Sequence, residues 1–254
     1  MLERSATWSL IGTGSNPSAG VMDQRQRVTA LRRVPILAVL PESKLEILAR
    51  DCKWRNYEAS QQILSYHDPS SEVFFLASGK VRVMVYSGEG KAVVFTDLRP
   101  GAMFGEIAAI DRGPRSAGVE AIEASTMASL TAGQFESLLL REPAVSLATI
   151  RHVTAEVRRL SERVVEFSTL IVQNRIHAEL LRLAADPGDR SGQGLLSPAP
   201  SLSDIANRIS THREAVSREL SRLGSIGLLR REGGDLRITD IARLEGLVRE
   251  AKGE

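Results

Sequence analysis

The chain has 254 residues, of which 43% are hydrophobic and 25% charged, a balance typical of globular proteins with one large or two modest domains. The formal net charge of +2 gives no basic field over the whole chain, so any surface for nucleic acid must be local. The single cysteine, Cys52, excludes an internal disulfide and a cysteine-ligated cluster within one chain, and it fits a reducing compartment.

The first predicted element is a flexible tail over residues 1–23, which is rich in Ser, Gly and Thr. It lacks the basic and apolar regions of a signal peptide. Met22 is an alternative start that the sequence leaves open. No apolar run reaches the ~18 residues that a membrane span needs. We therefore expect a cytoplasmic protein without a membrane partner.

Residues 24–143 are predicted to form an antiparallel β-roll with flanking helices. Helical patterns over 24–50 precede a series of short strand-like segments. Among these, residues 81–86 and 92–96 are the two arms of a hairpin, joined by a Gly-rich turn at 87–91. Many short strands with such turns favour an antiparallel roll or barrel.

Residues 144–185 contain no Pro or Gly and are predicted to form one long helix. Its apolar residues recur in alternating steps of four and three, which is the spacing of a coiled-coil seam. We therefore expect two copies to pair in a parallel homodimer; a helix buried against its own domain is the alternative. The predicted interface residues are Val153, Val157, Leu160, Val164, Phe167 and Ile171, and the pattern continues through polar Asn174 to Ala178 and Leu181.

Residues 186–254 are predicted to form a winged helix-turn-helix domain. A short helix over 203–209, a tight turn and a second helix over 213–223 give the helix-turn-helix, and a hairpin around residues 232–235 gives the wing. Between residues 203 and 231, six basic residues stand against three acidic ones. Because phosphate contacts supply most of the affinity for DNA, this local charge predicts DNA binding. A solvated helical hairpin without a DNA role is the alternative.

Two short motifs in the roll carry a family resemblance. They are Phe104, Gly105, Glu106, Ile107 and Ala108, followed by Arg115, Ser116 and Ala117. Together they resemble the phosphate-binding cassette of cyclic-nucleotide-binding domains. With the order of roll, long helix and winged helix, the chain resembles the cyclic-AMP receptor protein and fumarate–nitrate regulator (CRP/FNR) family over roughly residues 30–240. The fold class that this implies is α+β.

The resemblance implies that a cyclic nucleotide, cyclic AMP in the first place, is an allosteric ligand. The guanidinium of Arg115 would pair with the cyclic phosphate through a charge-assisted fork. Ser116 and the amides of Ile107 and Ala108 would donate further hydrogen bonds to the phosphate. Glu106 would accept from the ribose 2′-hydroxyl. The alternative is an ion pair between Glu106 and Arg115 in a roll that binds nothing.

By the family pattern, Leu160 and Ser161 of the long helix stand where a Thr-Ser pair meets the adenine. The hydroxyl missing at Leu160 leaves selectivity for adenine open, and cyclic GMP is the second candidate. The usual Gly of an early roll turn is replaced by His67, a change expected to affect that turn.

The resemblance also implies a palindromic operator of the TGTGA/TCACA type. Arg213 and Arg218 would bind guanines, Glu214 would accept from a cytosine, and His212 would contact phosphate. The full set of predicted DNA-binding residues is Thr211, His212, Arg213, Glu214, Ser217 and Arg218.

RNA polymerase is a further partner that the resemblance implies. No catalytic or metal-ligand arrangement stands out in the sequence, so neither an enzyme nor a metal cofactor is expected. Two rival functions stay open. One is a constitutive DNA-binding regulator whose roll is ligand-free, and the other is a nucleotide sensor that acts on a protein partner.

Overall fold

The structure is a computed structural model, and it describes residues 22–88, 90–185 and 194–253. Nearly all of the predicted tail lies outside these residues. Asp23 caps the first helix, α1 (Gln24–Arg32), because its carboxylate accepts from the backbone N of Gln26 at 2.8 Å. A series of turns leads to α2 (Glu42–Asp51), which packs against α1. The helical pattern over 24–50 therefore corresponds to two short helices.

The β-roll consists of two antiparallel sheets. Its strands are β1 (Lys53–Tyr57), β2 (Gln62–Leu64), β3 (Val73–Ser78), β4 (Val81–Tyr86), β5 (Ala92–Leu98), β6 (Met103–Phe104), β7 (Gly118–Ala121) and β8 (Ser125–Leu130). They are ordered β1-β8-β3-β6 in one sheet and β2-β7-β4-β5 in the other. Helix α3 (Glu106–Asp111) connects β6 to β7, and α4 (Ala132–Arg141) follows β8. The predicted antiparallel roll is confirmed, and β4 and β5 form its predicted hairpin.

Strand β3 is buried along both faces, which explains why its sequence is continuously apolar and does not alternate. Phe75 packs into the core beneath α1, α2 and α4. Phe74 and Leu76 pack into the core between the two sheets. Phe74 also stacks on Phe104 with ring centroids 5.1 Å apart. This stacking fixes the end of β6, from which the cassette continues.

The long helix is interrupted, so the prediction of one helix over 144–185 is wrong. Helix α5 (Pro143–Thr169) ends before Leu170, and α6 (Val172–Ala184) begins after Ile171. The hydroxyls of Ser168 and Thr169 each donate to a carbonyl four residues earlier at 2.8 Å. Such bonds compete with the helical ladder and weaken the last turn. Leu170 then turns into an extended conformation and is buried.

Helix α6 belongs to the C-terminal domain. Ile176 and Leu180 lie in the core of that domain, Leu181 packs against it, and Ala178 is buried. The predicted continuation of the seam beyond Ile171 is therefore wrong, because those apolar residues are already covered within the same chain.

The C-terminal domain, here called the winged domain, comprises α6 and the elements that follow it. These are β9 (Leu195–Leu196), α7 (Leu202–Arg208), α8 (Arg213–Ser225), β10 (Leu229–Glu232), β11 (Asp235–Ile238) and α9 (Ile241–Lys252). Ser201 caps α7 by accepting from the backbone N of Asp204 at 3.0 Å. Pairing of Glu232 with Asp235 leaves a two-residue turn in the wing, where Gly233 has a φ of 61°. The predicted winged helix-turn-helix is confirmed.

Cys52 lies buried at the end of α2, and burial raises the pKa of its thiol to about 12. Across the three described ranges, no helix has both the length and the apolar character needed to cross a bilayer. No cluster of His, Cys, Asp and Glu side chains suited to a metal ion occurs in the same residues.

Candidate functional site

The roll contains a buried guanidinium whose hydrogen-bond partners are all neutral. Arg115, between α3 and β7, is 2% exposed. Its Nε donates to Ser70 Oγ at 3.0 Å, while Nη1 and Nη2 donate to the carbonyl oxygens of Gly105 and Glu72 at 2.9 Å each. All three acceptors are neutral, and desolvation lowers the pKa of the guanidinium. A buried cation of this kind is suited to pairing with an anionic ligand.

The alternative of an ion pair between Glu106 and Arg115 is not realised. Among the described residues, no carboxylate lies within 4.0 Å of the Arg115 guanidinium. Its three hydrogen bonds to neutral acceptors fix the plane of the guanidinium, and none of them supplies a negative charge. The roll therefore keeps a cation fixed in orientation at the predicted phosphate position.

Gly105 is required by the closeness of this guanidinium. The residue has a φ of 83°, which favours glycine, and it immediately precedes α3. A Cβ at this position would lie 2.7 Å from Arg115 Nη1 and 2.8 Å from the carbonyl oxygen of Glu72. Any larger residue would displace the fork, so the Gly-Glu motif has a steric cause.

His67 takes the conformation that the family's glycine would have supplied. Its φ is 65°, and its ring lies against Tyr66 with centroids 3.8 Å apart. Histidine is among the residues that tolerate this region. The backbone N of His67 donates to the Arg115 carbonyl at 3.0 Å, and the Arg115 N donates to the Asp68 carbonyl at 2.9 Å. The turn thus positions the backbone of Arg115.

A cavity of about 350 Å³ opens beside Arg115, between the roll and α5. The predicted residues that line it are Phe104, Gly105, Glu106, Ile107, Ala108, Arg115, Ser116, Ala117 and Leu160. Ser161 is not among the lining residues, because its hydroxyl donates to the Val157 carbonyl at 2.9 Å on the exposed surface of α5. The structure thus brings the cassette and Leu160 together within one chain and leaves Ser161 outside.

Several lining residues were not predicted. His152, Glu156 and Arg159 of α5 form a polar wall, in which Arg159 donates to Glu156 at 2.7 Å and 2.9 Å. Strand β5 adds Thr96 and Leu98. The α5 residues are spaced by four and three, parallel to the apolar seam, and this spacing is the signal that reveals them. The wall makes α5 a side of the cavity as well as a candidate dimer helix.

Glu106 faces this wall from the start of α3. Its side chain is buried, and burial raises the pKa of its carboxyl above the ordinary value. The nearby charge of Glu156 acts in the same direction, while His152 and Arg115 oppose it. A buried carboxylate next to a fixed cation is suited to accept from a hydroxyl of the same ligand.

The predicted interface residues, which lie in α5 except for Ile171 just before α6, are uncovered in a single chain. Val157, Val164 and Ile171 are 57%, 64% and 61% exposed, respectively, and Leu160 and Phe167 are also exposed. Val153 is half-buried. A continuous apolar stripe of this length on a helix is the usual sign of a covering partner.

Helix α8 turns one face to the winged domain and the other to solvent. Val216 and Leu223 are buried in the domain core. The predicted DNA-binding residues on the exposed face are His212, Arg213, Glu214, Ser217 and Arg218. Thr211 differs from them, because it is buried and its backbone N donates to the Ala206 carbonyl at 3.0 Å. Its place is in the turn rather than on the surface.

One buried polar contact that was not predicted holds α8 in place. The carboxylate of Glu219 lies 2.6 Å from His177 Nε2 in α6 and accepts from Arg222 at 2.6 Å. Both Glu219 and His177 are buried. Helix α8 is therefore fixed to α6 by polar as well as apolar contacts.

Two domain families match the chain. Residues 54–142 match the cyclic nucleotide-binding domain, and residues 174–247 match the Crp-like helix-turn-helix domain. The first match contains the residues of the roll that line the cavity, and the second begins within α6. The start of that match agrees with the packing of α6 in the winged domain.

Relatives with this domain order occur among characterised proteins. The chain is 25% identical over 216 residues to a CRP-like cAMP-activated global transcriptional regulator of Mycobacterium tuberculosis, covering 84% of this chain and 96% of the relative. It is 29% identical to the cyclic AMP receptor protein of Thermus thermophilus, with coverages of 83% and 95%.

Solved structures share the fold. A CooA mutant from Carboxydothermus hydrogenoformans matches with a TM-score of 0.68 at 22% identity, covering 80% of this chain and 89% of that one. FixK2 from Bradyrhizobium japonicum matches with a TM-score of 0.65 at 21% identity, with coverages of 77% and 96%.

The fold and the two domain matches define a DNA-binding transcription regulator with a cyclic-nucleotide-binding domain. The chain belongs to the CRP/FNR family. Members of this family are transcription regulators and not enzymes, in agreement with the sequence prediction.

Proposed function

We propose that the protein is a cyclic-AMP-responsive transcription regulator that binds a palindromic operator as a homodimer. The observation that carries this proposal is the buried guanidinium of Arg115, whose hydrogen-bond partners are all neutral and which shares a cavity with the carboxylate of Glu106. A ribose 3′,5′-cyclic phosphate presents one anion and one free 2′-hydroxyl at a fixed separation. The two side chains match these two groups.

Cyclic AMP is the first candidate because the named relatives from M. tuberculosis and T. thermophilus are cyclic AMP proteins. Leu160 supplies an apolar contact to the purine in place of a hydroxyl. Such a contact discriminates weakly between purines, so cyclic GMP is the comparison ligand.

Homodimerisation is supported by the uncovered stripe on α5. A second copy would bury it and would bring two exposed α8 helices to one side of the particle. Two-fold symmetry of the protein requires a palindromic operator with one half-site for each α8. RNA polymerase is the further partner that we propose for the DNA-bound dimer.

The proposed mechanism is thermodynamic linkage. The nucleotide contacts the cassette and α5 together, so it favours the arrangement of the dimer in which both surfaces are in place. If the same arrangement sets the spacing of the two α8 helices, ligand and operator strengthen each other's binding by about 1–3 kcal/mol.

Calorimetric titration with cyclic AMP and cyclic GMP is the test. We expect heat and a thermal shift with cyclic AMP, and raised operator affinity in fluorescence anisotropy when the nucleotide is present. If neither nucleotide binds, the constitutive alternative with a ligand-free roll replaces this proposal. Equal operator affinity with and without bound nucleotide would remove the coupling.

Nucleotide affinity is expected to fall as the pH is lowered, because the pKa of Glu106 is raised above 4.5. Protonation replaces a charge-assisted hydrogen bond to the ribose by a weaker one, so the affinity should decline steadily as the pH falls from neutral into the acid range. Calorimetry at several pH values measures the slope. The matched variant Glu106→Gln should bind more weakly with a flat profile, and an equal slope in both proteins would contradict the role of Glu106.

Replacing Arg213 by Ala is expected to remove a fork to guanine and to weaken operator binding by about tenfold to a hundredfold. Anisotropy with a TGTGA/TCACA palindrome and with variants of its guanines measures the change. Arg249→Ala on α9, an exposed arginine outside α8, is the control. Unchanged affinity of the Arg213 variant would instead favour a sensor that acts on a protein partner.

A further inference from the structure

The winged domain is attached to its own roll by a buried ion pair. Helix α7 packs against β5, and Arg208 Nη2 lies 2.6 Å from Asp97 Oδ2. The two side chains are only 6% and 8% exposed. Because both charges are desolvated, removal of either one costs more than it would in an exposed pair.

Asp97 holds more than one cation. Arg82 of β4 donates to both of its carboxylate oxygens at 2.8 Å and 3.0 Å, and Lys80 Nζ lies 3.3 Å away. Arg82 also reaches across to Asp204 of α7 at 2.5 Å. Two ion pairs therefore cross the boundary between the domains. One joins Asp97 to Arg208, and the other joins Arg82, which is hydrogen-bonded to Asp97, to Asp204.

The pKa of the Asp97 carboxyl reflects this environment. Burial acts to raise it, but the hydrogen bonds from Arg82 and the charges of Arg208 and Lys80 outweigh burial and lower it. The carboxylate is consequently ionised throughout the neutral range, and the contact is present under physiological conditions.

Strand β5 carries Asp97 next to residues of the ligand cavity. Thr96 and Leu98, its two neighbours in sequence, both line that cavity. A change in β5 on nucleotide binding would therefore move the Asp97 carboxylate directly. In β-strands adjacent residues point to opposite faces, which allows one strand to serve a ligand and a second domain.

Helix α5 also contacts the end of α7. Arg163 of α5 donates to the carbonyl oxygen of Arg208 at 2.5 Å and to Glu179 of α6 at 2.7 Å. The end of α7 is thus contacted by β5 and by α5, and both of these elements also line the cavity. In this arrangement the DNA-binding face of α8 stays exposed.

We propose that Asp97 and Arg208 are positioning residues, which hold the winged domain in the orientation that binds DNA and make that orientation sensitive to the cavity. This inference rests on the proposed function, since it names the route by which the nucleotide acts within one chain. Neither residue needs to touch the nucleotide or a base.

Amide hydrogen exchange of the full-length protein tests the contact. In Asp97→Asn, the cations Arg82, Arg208 and Lys80 lose their common partner, and we expect α7 to exchange about tenfold faster or more. Arg208→Gln should have a similar effect, and the double variant should add little to either. Lys44→Gln, which removes an ion pair to Glu142 just before α5, is the matched control and should leave α7 unchanged.

Saturating cyclic AMP supplies the second measurement. In the wild type it should slow exchange both in residues 104–117 and in α7. In Asp97→Asn the protection of 104–117 should persist while the response of α7 disappears, an effect that general destabilisation does not produce. Asp97→Glu keeps the charge and should restore the response.

Three results would overturn the inference. They are wild-type exchange in α7 of the Asp97→Asn variant, a full response of that variant's α7 to cyclic AMP, and a wild-type α7 that ignores bound nucleotide. If cyclic AMP gives no protection of residues 104–117 in the wild type, the proposed function and the coupling are both overturned. The comparison of α7 exchange between wild type and Asp97→Asn without nucleotide would still decide whether the contact positions α7.

Discussion

Replacing Arg115 by Gln is expected to weaken cyclic AMP binding by about a hundredfold or more. The guanidinium is already desolvated and oriented, so the free energy of pairing with the cyclic phosphate is not spent on ordering the side chain. Loss of about two charge-assisted hydrogen bonds corresponds to about 3 kcal/mol. Calorimetric titration of the purified variant measures the loss directly.

The control for this variant is Arg112→Gln. Arg112 lies three residues earlier on the same connection, but it is exposed and pairs with Glu136 on the outside of the roll. Its replacement should leave the affinity unchanged. Because Arg115 also bonds to Ser70 and two carbonyls, thermal unfolding of both variants must accompany the titration. A folded Arg115 variant with wild-type affinity would refute the assignment of the phosphate site.

Charging the stripe on α5 is expected to convert the protein into a monomer. In the double variant Val157→Glu with Val164→Glu, a symmetric dimer would have to bury four carboxylates in an apolar seam. The cost of several kcal/mol should raise the dimer dissociation constant by about a thousandfold or more. Sedimentation equilibrium measures the constant, and specific operator affinity should fall with it because a monomer contacts only one half-site.

Arg158→Glu introduces a carboxylate on the same helix but off the stripe, and it should leave the dimer intact. If the double variant stays dimeric while folded, another surface must form the dimer. If the wild type is a monomer at micromolar concentration, the proposal of a homodimer is lost.

Local patterns in the sequence were sufficient to predict most of the architecture. The hairpin of β4 and β5, the cassette around Gly105 and the helix-turn-helix all depend on residues close together in the chain. Their steric requirements, such as the positive φ of Gly105, belong to single positions. Such features are legible without knowledge of tertiary contacts.

The break between α5 and α6 was hidden because no Pro or Gly marks it. Its local signal is the Ser168-Thr169 pair, whose hydroxyls bond to the preceding turn, but such pairs also occur inside continuous helices. The position of the break depends on tertiary packing, since Ile176 and Leu180 belong to the core of the winged domain. Apolar periodicity alone does not say which partner covers a helix.

The contact between Asp97 and Arg208 could not be predicted from the sequence for a related reason. The two residues are 111 positions apart, and each resembles an ordinary surface charge in its own segment. Only the docking of α7 on β5 removes both from water. In the sequence alone, charged residues that join two domains therefore look the same as ordinary exposed charges.

The burial of Cys52 makes the native protein suitable for site-directed labelling. The thiolate is the reactive form, and burial raises the pKa of this thiol to about 12, far above the pH at which labelling is done. Since the sequence has no other cysteine, a maleimide dye or spin label would find almost nothing to modify until a surface position such as Glu123 or Glu245 is changed to cysteine. Distances between roll and winged domain are thus open to spectroscopy without first removing a native thiol.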